Sequence, residues 1–161
     1  MSIVLINNNQ EDLILIPNEA IRVRVIANSN DDEDIKIKEK LKDIININVE
    51  KILKNVKNIT DARKKINSNL ENIHKIVEKS LKEMKYDKTY NISYGLNYFP
   101  KKEFKGTIYD EGYYESLVVT LGEGKGKNYW CVLYPPLCLI DEDKNDYEYR
   151  SYIKDIIEKY F

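Results

Sequence analysis

Hydrophobic and polar positions along this chain follow two periods, and the changes between them separate predicted strands from predicted helices. Residues 21–26 alternate apolar and basic side chains, which predicts a half-buried strand with Ile21, Val23 and Val25 facing inward. Arg22 and Arg24 of this strand are predicted to face outward. Asn28–Asn30 and the acidic residues after them suit the start of a helix, because capping side chains and carboxylates stabilise its positive end.

Apolar residues then recur at three- and four-residue steps, which predicts a helix from about Asp32 to Lys54. Residues 58–60 interrupt the pattern, and Thr60 is a candidate cap for a second helix that ends near Met84. The short connection predicts that the two helices pack as an antiparallel hairpin.

The period returns to two after Thr89, and three further strands are predicted, at about 89–98, 113–121 and 129–134. A short glycine-rich loop separates the last two, which favours pairing as an antiparallel hairpin. A C-terminal helix should bury one face, formed by Tyr149, Tyr152, Ile153, Ile156, Ile157 and Tyr160. The order β-α-α-β-β-β-α predicts an α+β fold, with helices packed on an antiparallel or mixed sheet of about four strands.

Length and composition indicate one domain, which we place at residues 17–161, with residues 1–16 as an N-terminal extension. The 26 basic and 27 acidic residues give a formal net charge of -1, which argues against nucleic-acid binding. No apolar run reaches the roughly 18–20 residues that span a bilayer, and the N-terminal residues lack the pattern of a signal peptide.

Residues 122–138 hold three of the six glycines, the only tryptophan, both cysteines and two of the four prolines. The glycine loop does not fit a nucleotide site, because a P-loop needs Ser or Thr after its lysine and a helix next. Either the loop is a flexible turn, or it is an exposed tip that contacts a partner. The candidate partner-binding residues are Gly122, Glu123, Gly124, Lys125, Gly126, Tyr129, Trp130, Pro135 and Pro136.

The two cysteines, Cys131 and Cys138, cannot form a structural zinc site alone, and their spacing is not that of a thiol-redox motif. They are either two buried thiols or one disulfide, and the residues alone favour neither. His74, the only histidine, lies at the edge of a predicted apolar helix stripe, which favours packing over catalysis. Among the carboxylates, Glu115 and Asp110 are the ones to check, although no pair has diagnostic spacing. We predict no metal site, no cofactor and no catalytic residue.

Two blocks of sequence resemble the family of stage II sporulation protein R from endospore-forming Firmicutes. One block is the strand Ile21–Ile26 with Ala27-Asn28-Ser29, followed by acidic residues and a lysine-rich helix. The other is Leu121-Gly-Glu-Gly-Lys-Gly-Lys-Asn-Tyr-Trp-Cys-Val-Leu-Tyr-Pro-Pro-Leu-Cys138. The resemblance covers roughly residues 17–141.

The resemblance implies a signalling protein, not an enzyme. Members of this family are exported from the forespore into the space between the two membranes. There they trigger a membrane-embedded aspartic protease that removes the inhibitory pro-sequence of pro-sigma-E. An extracytoplasmic location would favour a Cys131–Cys138 disulfide, and it makes the protease's extracytoplasmic part the expected partner.

Family members usually carry an N-terminal export segment. Residues 1–16 are therefore interpreted as the remnant of a removed export segment, or export differs for this chain.

Two alternatives to a signalling role remain open. A hydrolase of the intermembrane space would need an ordered pocket that joins Glu115 or Asp110 to a second polar group. A purely structural module would use the residue 122–138 segment for folding alone.

Overall fold

The computed structural model describes residues 4–8, 11–138 and 145–161. Its eight strands and four helices follow one another in the order β1 (Val4–Asn8), β2 (Glu11–Leu15), β3 (Ile21–Ile26), α1 (Asp32–Ile52), α2 (Ile59–Ser68), α3 (Leu70–Glu83), β4 (Tyr90–Phe99), β5 (Lys102–Phe104), β6 (Thr107–Tyr109), β7 (Gly112–Leu121), β8 (Asn128–Tyr134) and α4 (Asp146–Tyr160). The α+β class and the predicted order of the main elements are confirmed, with additional short strands.

The main sheet has the strand order β4-β7-β3-β8 and is mixed. Strand β3 pairs in parallel with β7 and antiparallel with β8, while β4 pairs with β7 over ten residues on each strand. The predicted hairpin between β7 and β8 is therefore wrong, because β3 lies between them. On one face of β3, Ile21, Val23 and Val25 are fully buried, and on the other face Arg22 is only 2% exposed. A strand in the middle of the sheet can be buried on both faces in this way.

Helices α1, α2 and α3 cover one face of this sheet. Helix α1 matches its predicted range closely, whereas the predicted second helix is two helices that meet at Asn69. Asn58, and not Thr60, caps α2, because its side chain accepts a hydrogen bond from the backbone N–H of Asp61. Helix α1 contacts both α2 and α3.

The core between the helices and the sheet is aliphatic. Its buried side chains include Val23, Val25, Leu41, Ile45, Ile66, Val77, Leu117, Val119 and Leu121. Burial of this much apolar surface is the main source of stability for the fold.

A second sheet, with the order β1-β2-β6-β5, lies beside a smaller core that α4 completes. Strand β2 pairs in parallel with β6, and Ile14 and Ile16 are buried, so part of the predicted N-terminal extension belongs to this core. Helix α4 buries Tyr149, Ile153 and Ile157 as predicted. Tyr152 was expected on the same face but is 48% exposed.

Candidate partner-binding surfaces

The glycine loop, residues 122–127, carries the chain from β7 past the end of β3 to β8. Asn28, just after β3, holds it twice: its side-chain oxygen accepts from the backbone N–H of Glu123 at 2.9 Å, and its carbonyl accepts from Lys125 at 3.1 Å. The side-chain oxygen of Asn30 accepts from the backbone N–H of Lys127 at 2.9 Å. The loop is thus a bridge fixed at several points along its backbone, and a strand follows it, as predicted.

Glycine is required in the loop for two physical reasons. Gly122 and Gly124 have φ angles of +55° and +64°, which side chains adopt rarely. A Cβ atom on Gly126 would overlap the backbone carbonyl of Ser29, which cannot move aside as a flexible side chain would. The unusual composition of the loop therefore follows from close backbone packing.

Asp34 in the first turn of α1 holds Asn28 and Ser29, the residues that the glycine loop packs against. It accepts hydrogen bonds from the side chains of Asn28 at 2.8 Å and Ser29 at 2.6 Å, and it is only 7% exposed. These hydrogen bonds, more than the charge of Lys88, hold the pKa of Asp34 below its ordinary value. The charged carboxylate thus fixes the asparagine that in turn fixes the loop.

What the loop offers to a partner is a set of charged side chains. Glu123, Lys125 and Lys127 are exposed, and the first two form an ion pair at 3.0 Å that is itself open to solvent. The three glycines that alternate with them, Gly122, Gly124 and Gly126, are half-buried. The loop surface, defined by Glu123, Lys125 and Lys127, is therefore polar.

Tyr129 and Trp130 project from opposite faces of β8. The Tyr129 hydroxyl accepts a hydrogen bond from Asn46 on α1 at 2.9 Å. Trp130 packs edge-on against the fully buried Phe99, with ring centroids 5.8 Å apart, and the Arg24 guanidinium lies 5.4 Å from its ring centroid. Both aromatic rings are half-buried, and each is held by neighbours within the fold.

Cys131 and Cys138 form a disulfide, as the resemblance implied, with Cα atoms 5.5 Å apart. The linked segment turns back along β8, and the backbone N–H of Leu137 donates to the carbonyl of Val132. Pro135 is buried after a cis peptide bond, whereas Pro136 is exposed and lines a cavity of about 440 Å³ beside α1.

A second surface, which the sequence patterns did not predict, lies at the free edge of the main sheet. Leu96 on β4 and Tyr113 on β7 are 74% and 72% exposed, and Tyr98 is 47% exposed. The rings of Tyr98 and Tyr113 pack edge-to-face across the β4–β7 pair, with centroids 5.5 Å apart. We call Leu96, Tyr98 and Tyr113 the edge patch.

The edge patch is exposed because β4 and its partner strand continue past the part of the sheet that the aliphatic core covers. Ile92 and Tyr94 of β4 pack against the aliphatic core, while Leu96 and Tyr98, next on the same face, are exposed. No local signal in the sequence marks where this cover ends.

Glu115 marks the border between the covered part of the sheet and the edge patch. Its carboxylate accepts two hydrogen bonds from Arg63, at 2.8 and 2.9 Å, and one from the Tyr94 hydroxyl at 2.6 Å. Burial alone would raise the pKa of Glu115, but these hydrogen bonds outweigh it and lower the pKa. A carboxylate held ionised in this way suits an ion-pair anchor and not a general acid.

The other residues considered for chemistry are not brought together. Asp110 is exposed and accepts a hydrogen bond from the backbone N–H of Glu111, and His74 is exposed on α3. Within the described ranges, no three His, Cys, Asp or Glu side chains cluster so that they could hold a metal ion. Among the described helices, none is long and apolar enough to cross a membrane.

Comparison with known proteins gives a family for this fold. Residues 17–144 match the family model of stage II sporulation protein R. The chain is 35% identical over 128 residues to stage II sporulation protein R of Bacillus subtilis (strain 168), a match that covers 80% of this chain and 57% of that protein. The chain thus spans little more than half the length of this curated relative. No solved structure matches the chain significantly. The chain belongs to the stage II sporulation protein R family.

Proposed function

We propose that this protein is a secreted sporulation signal that binds the extracytoplasmic part of the membrane-embedded protease that processes pro-sigma-E. Family membership supports a role in sporulation, and the resemblance described above supplies the protease as the partner. The site of action is the space between the forespore and mother-cell membranes. The disulfide between Cys131 and Cys138 is consistent with that oxidising setting.

The observation that carries a binding role is the edge patch. Leu96, Tyr98 and Tyr113 place exposed apolar and aromatic surface on β4, an edge strand of the main sheet. Tyrosine is enriched where proteins contact one another, because it buries a large area at low entropic cost. An edge strand also offers backbone groups to which a partner can add hydrogen bonds. We assign the main contact to the edge patch.

The loop surface, together with Trp130 and Pro136, is the second candidate for the contact. Its exposed charges could steer the approach of a charged partner, because charges at the rim of an interface act mainly on the association rate. Substitutions there should change the salt dependence of binding more than the dissociation rate.

Binding to the purified extracytoplasmic region of the protease tests this proposal. Leu96→Ser with Tyr113→Ser should weaken binding at least about tenfold, which corresponds to roughly 1.4 kcal/mol, and should lower pro-sigma-E processing in a co-expression assay. Glu123→Ala with Lys125→Ala should weaken binding less than threefold, a difference below about 0.7 kcal/mol.

Tyr147→Ser is the matched control for the patch variant. Tyr147 is 75% exposed, close to the 72% of Tyr113, but it belongs to α4 and not to the edge patch. It should leave binding and processing unchanged. A wild-type chain that is folded and oxidised but does not bind the protease region would refute the proposed function. Full binding by the patch variant would refute the patch assignment alone.

A further inference from the structure

Arg22 occupies an unusual position on the face of the main sheet opposite helices α1–α3. Its side chain comes from the central strand β3 and is only 2% exposed. Within the described part of the chain, its Nε and Nη2 atoms have no hydrogen-bond partner, and it forms no ion pair. A buried charge whose donors are unsatisfied is costly, so the surroundings of this guanidinium need an explanation.

Aromatic rings account for part of the burial of Arg22. The guanidinium carbon lies 3.6 Å from the ring centroid of Tyr114, and the rings of Phe99 and Tyr109 are 5.5 and 5.9 Å away. Stacking of this kind stabilises the charge over the ring faces. It leaves Nε and Nη2 without a hydrogen-bond partner among the described residues, because the N–H groups lie in the guanidinium plane.

Arg22 lines a cavity of about 190 Å³ beside β8 and the disulfide. The walls are largely aromatic, with Phe104, Tyr109, Trp130 and Tyr149 among them. The indole nitrogen of Trp130 is a further buried donor without a hydrogen-bond partner among the described residues. Unsatisfied donors from two strands therefore belong to side chains that line the same small cavity.

The charges around the cavity favour an anion. Three cationic side chains line it, those of Arg22, Lys38 and Lys102, against one carboxylate, that of Glu39. Glu39 is already engaged, since its oxygens lie 3.4 Å from the Lys38 amine and 3.0 Å from the Lys42 amine.

We propose that this cavity binds a carboxylate carried on a small apolar or aromatic group, with Arg22 as the anchoring residue. The planar guanidinium fork matches a carboxylate and can donate two parallel hydrogen bonds to it. The aromatic walls would receive the apolar part of the ligand, as in most small-molecule sites. The proposal is independent of the protease as partner and of the edge patch.

The single tryptophan provides a direct test. In the nitrogen-labelled full chain, the one indole N–H resonance belongs to Trp130, which lines the cavity. Benzoate should shift this resonance saturably at constant ionic strength. Benzamide, which has nearly the same shape but no charge, should leave it unmoved. An absent response to benzoate, an equal response to benzamide, or a stronger response to inorganic phosphate would overturn the proposal.

Two substitutions locate the site. Arg22→Met should weaken benzoate binding at least about tenfold, because the charged fork is lost. Arg24→Met is the matched control, since Arg24 also contacts Trp130 but does not line the cavity, and it should retain binding. Arg22→Lys, which keeps the charge and loses the fork, replaces Arg22→Met if the latter does not fold. Unchanged affinity in a folded Arg22 variant would contradict the assignment.

A pair of peptides distinguishes two sources of the carboxylate. A tetrapeptide that ends in phenylalanine with a free carboxylate should bind more tightly than benzoate if the natural ligand is a polypeptide C-terminus. Benzoate should bind at least as well as the peptide if the ligand is a free small molecule. The amidated tetrapeptide should not bind in either case, and its binding would count against the proposal.

Discussion

The glycine loop and the edge patch differ in how unusual their sequences are and in what they expose to solvent. The loop is the most unusual string in the chain, yet its backbone is fastened to Asn28 and Asn30 and presents mostly charge to solvent. The edge patch is an ordinary continuation of an alternating strand, yet it exposes Leu96 and Tyr113 by more than 70%. Unusual composition here reflects a constraint on the backbone, whereas the exposed apolar surface arises where a strand continues past the core that covers it.

The largest effect on stability is expected when one methyl group is added in each region, at Gly126 in the loop and at Gly95 on β4. Gly126→Ala should lower the free energy of unfolding by about 2–3 kcal/mol, because the Cβ atom overlaps the Ser29 carbonyl. Gly95→Ala on β4 meets nothing within 4 Å and should change stability by less than about 0.5 kcal/mol. Urea unfolding measures both, and equal losses in the two variants would contradict the difference in packing.

Removal of the support beneath the loop should have a smaller effect. Asp34→Asn should lower the free energy of unfolding by about 1–2 kcal/mol at neutral pH, because a charged acceptor of two hydrogen bonds is lost. The pKa of Asp34 is lowered in the folded protein, so its contribution is present above the unfolded-state pKa, near 3.8, and declines as pH falls below that value. Wild type and variant should therefore converge in acid. A difference that stays constant down to the acid limit would show that the charge of Asp34 is not involved.

The smallest expected effect concerns the edge region. Tyr94→Phe removes the 2.6 Å hydrogen bond to Glu115 and should cost roughly 0.5–1 kcal/mol. Because the pKa of Glu115 is also lowered in the folded state, this contribution should fade as pH drops below about 4.5. Urea unfolding across that range checks the trend, and a cost that grows in acid would contradict it. Tyr90→Phe is a control, since Tyr90 lies at the start of the same strand.

The local patterns in the sequence predicted most elements of the fold but not the way the strands pair. The spacing in α1 and the alternation in β3 and β4 depend on neighbouring residues, so they are visible in sequence. The insertion of β3 between β7 and β8 depends on residues about 90–110 positions apart. A short glycine loop looked like a hairpin turn because nothing local distinguishes a turn from a bridge over one strand end.

The candidate sites could also be predicted only as far as they depend on residues close together in sequence. The disulfide was expected only through the family resemblance, because spacing left two cysteine states open. The edge patch was missed because Leu96 and Tyr98 continue the pattern of Ile92 and Tyr94 without change. The two pairs differ only in the folded protein, where the core covers Ile92 and Tyr94 but not Leu96 and Tyr98. The buried charge of Arg22 was predicted as outward-facing, since the rings that cover it come from strands distant in sequence.

Hydrogen exchange of the complex with the extracytoplasmic region of the protease tests the central claim most directly. If the partner covers the edge patch, the backbone amides of residues 94–99 and 112–115 should exchange more slowly in the complex than in the free chain. The amides of residues 122–127 should change little. Slower exchange confined to residues 122–130, with β4 unaffected, would contradict the account and transfer the contact to the loop surface.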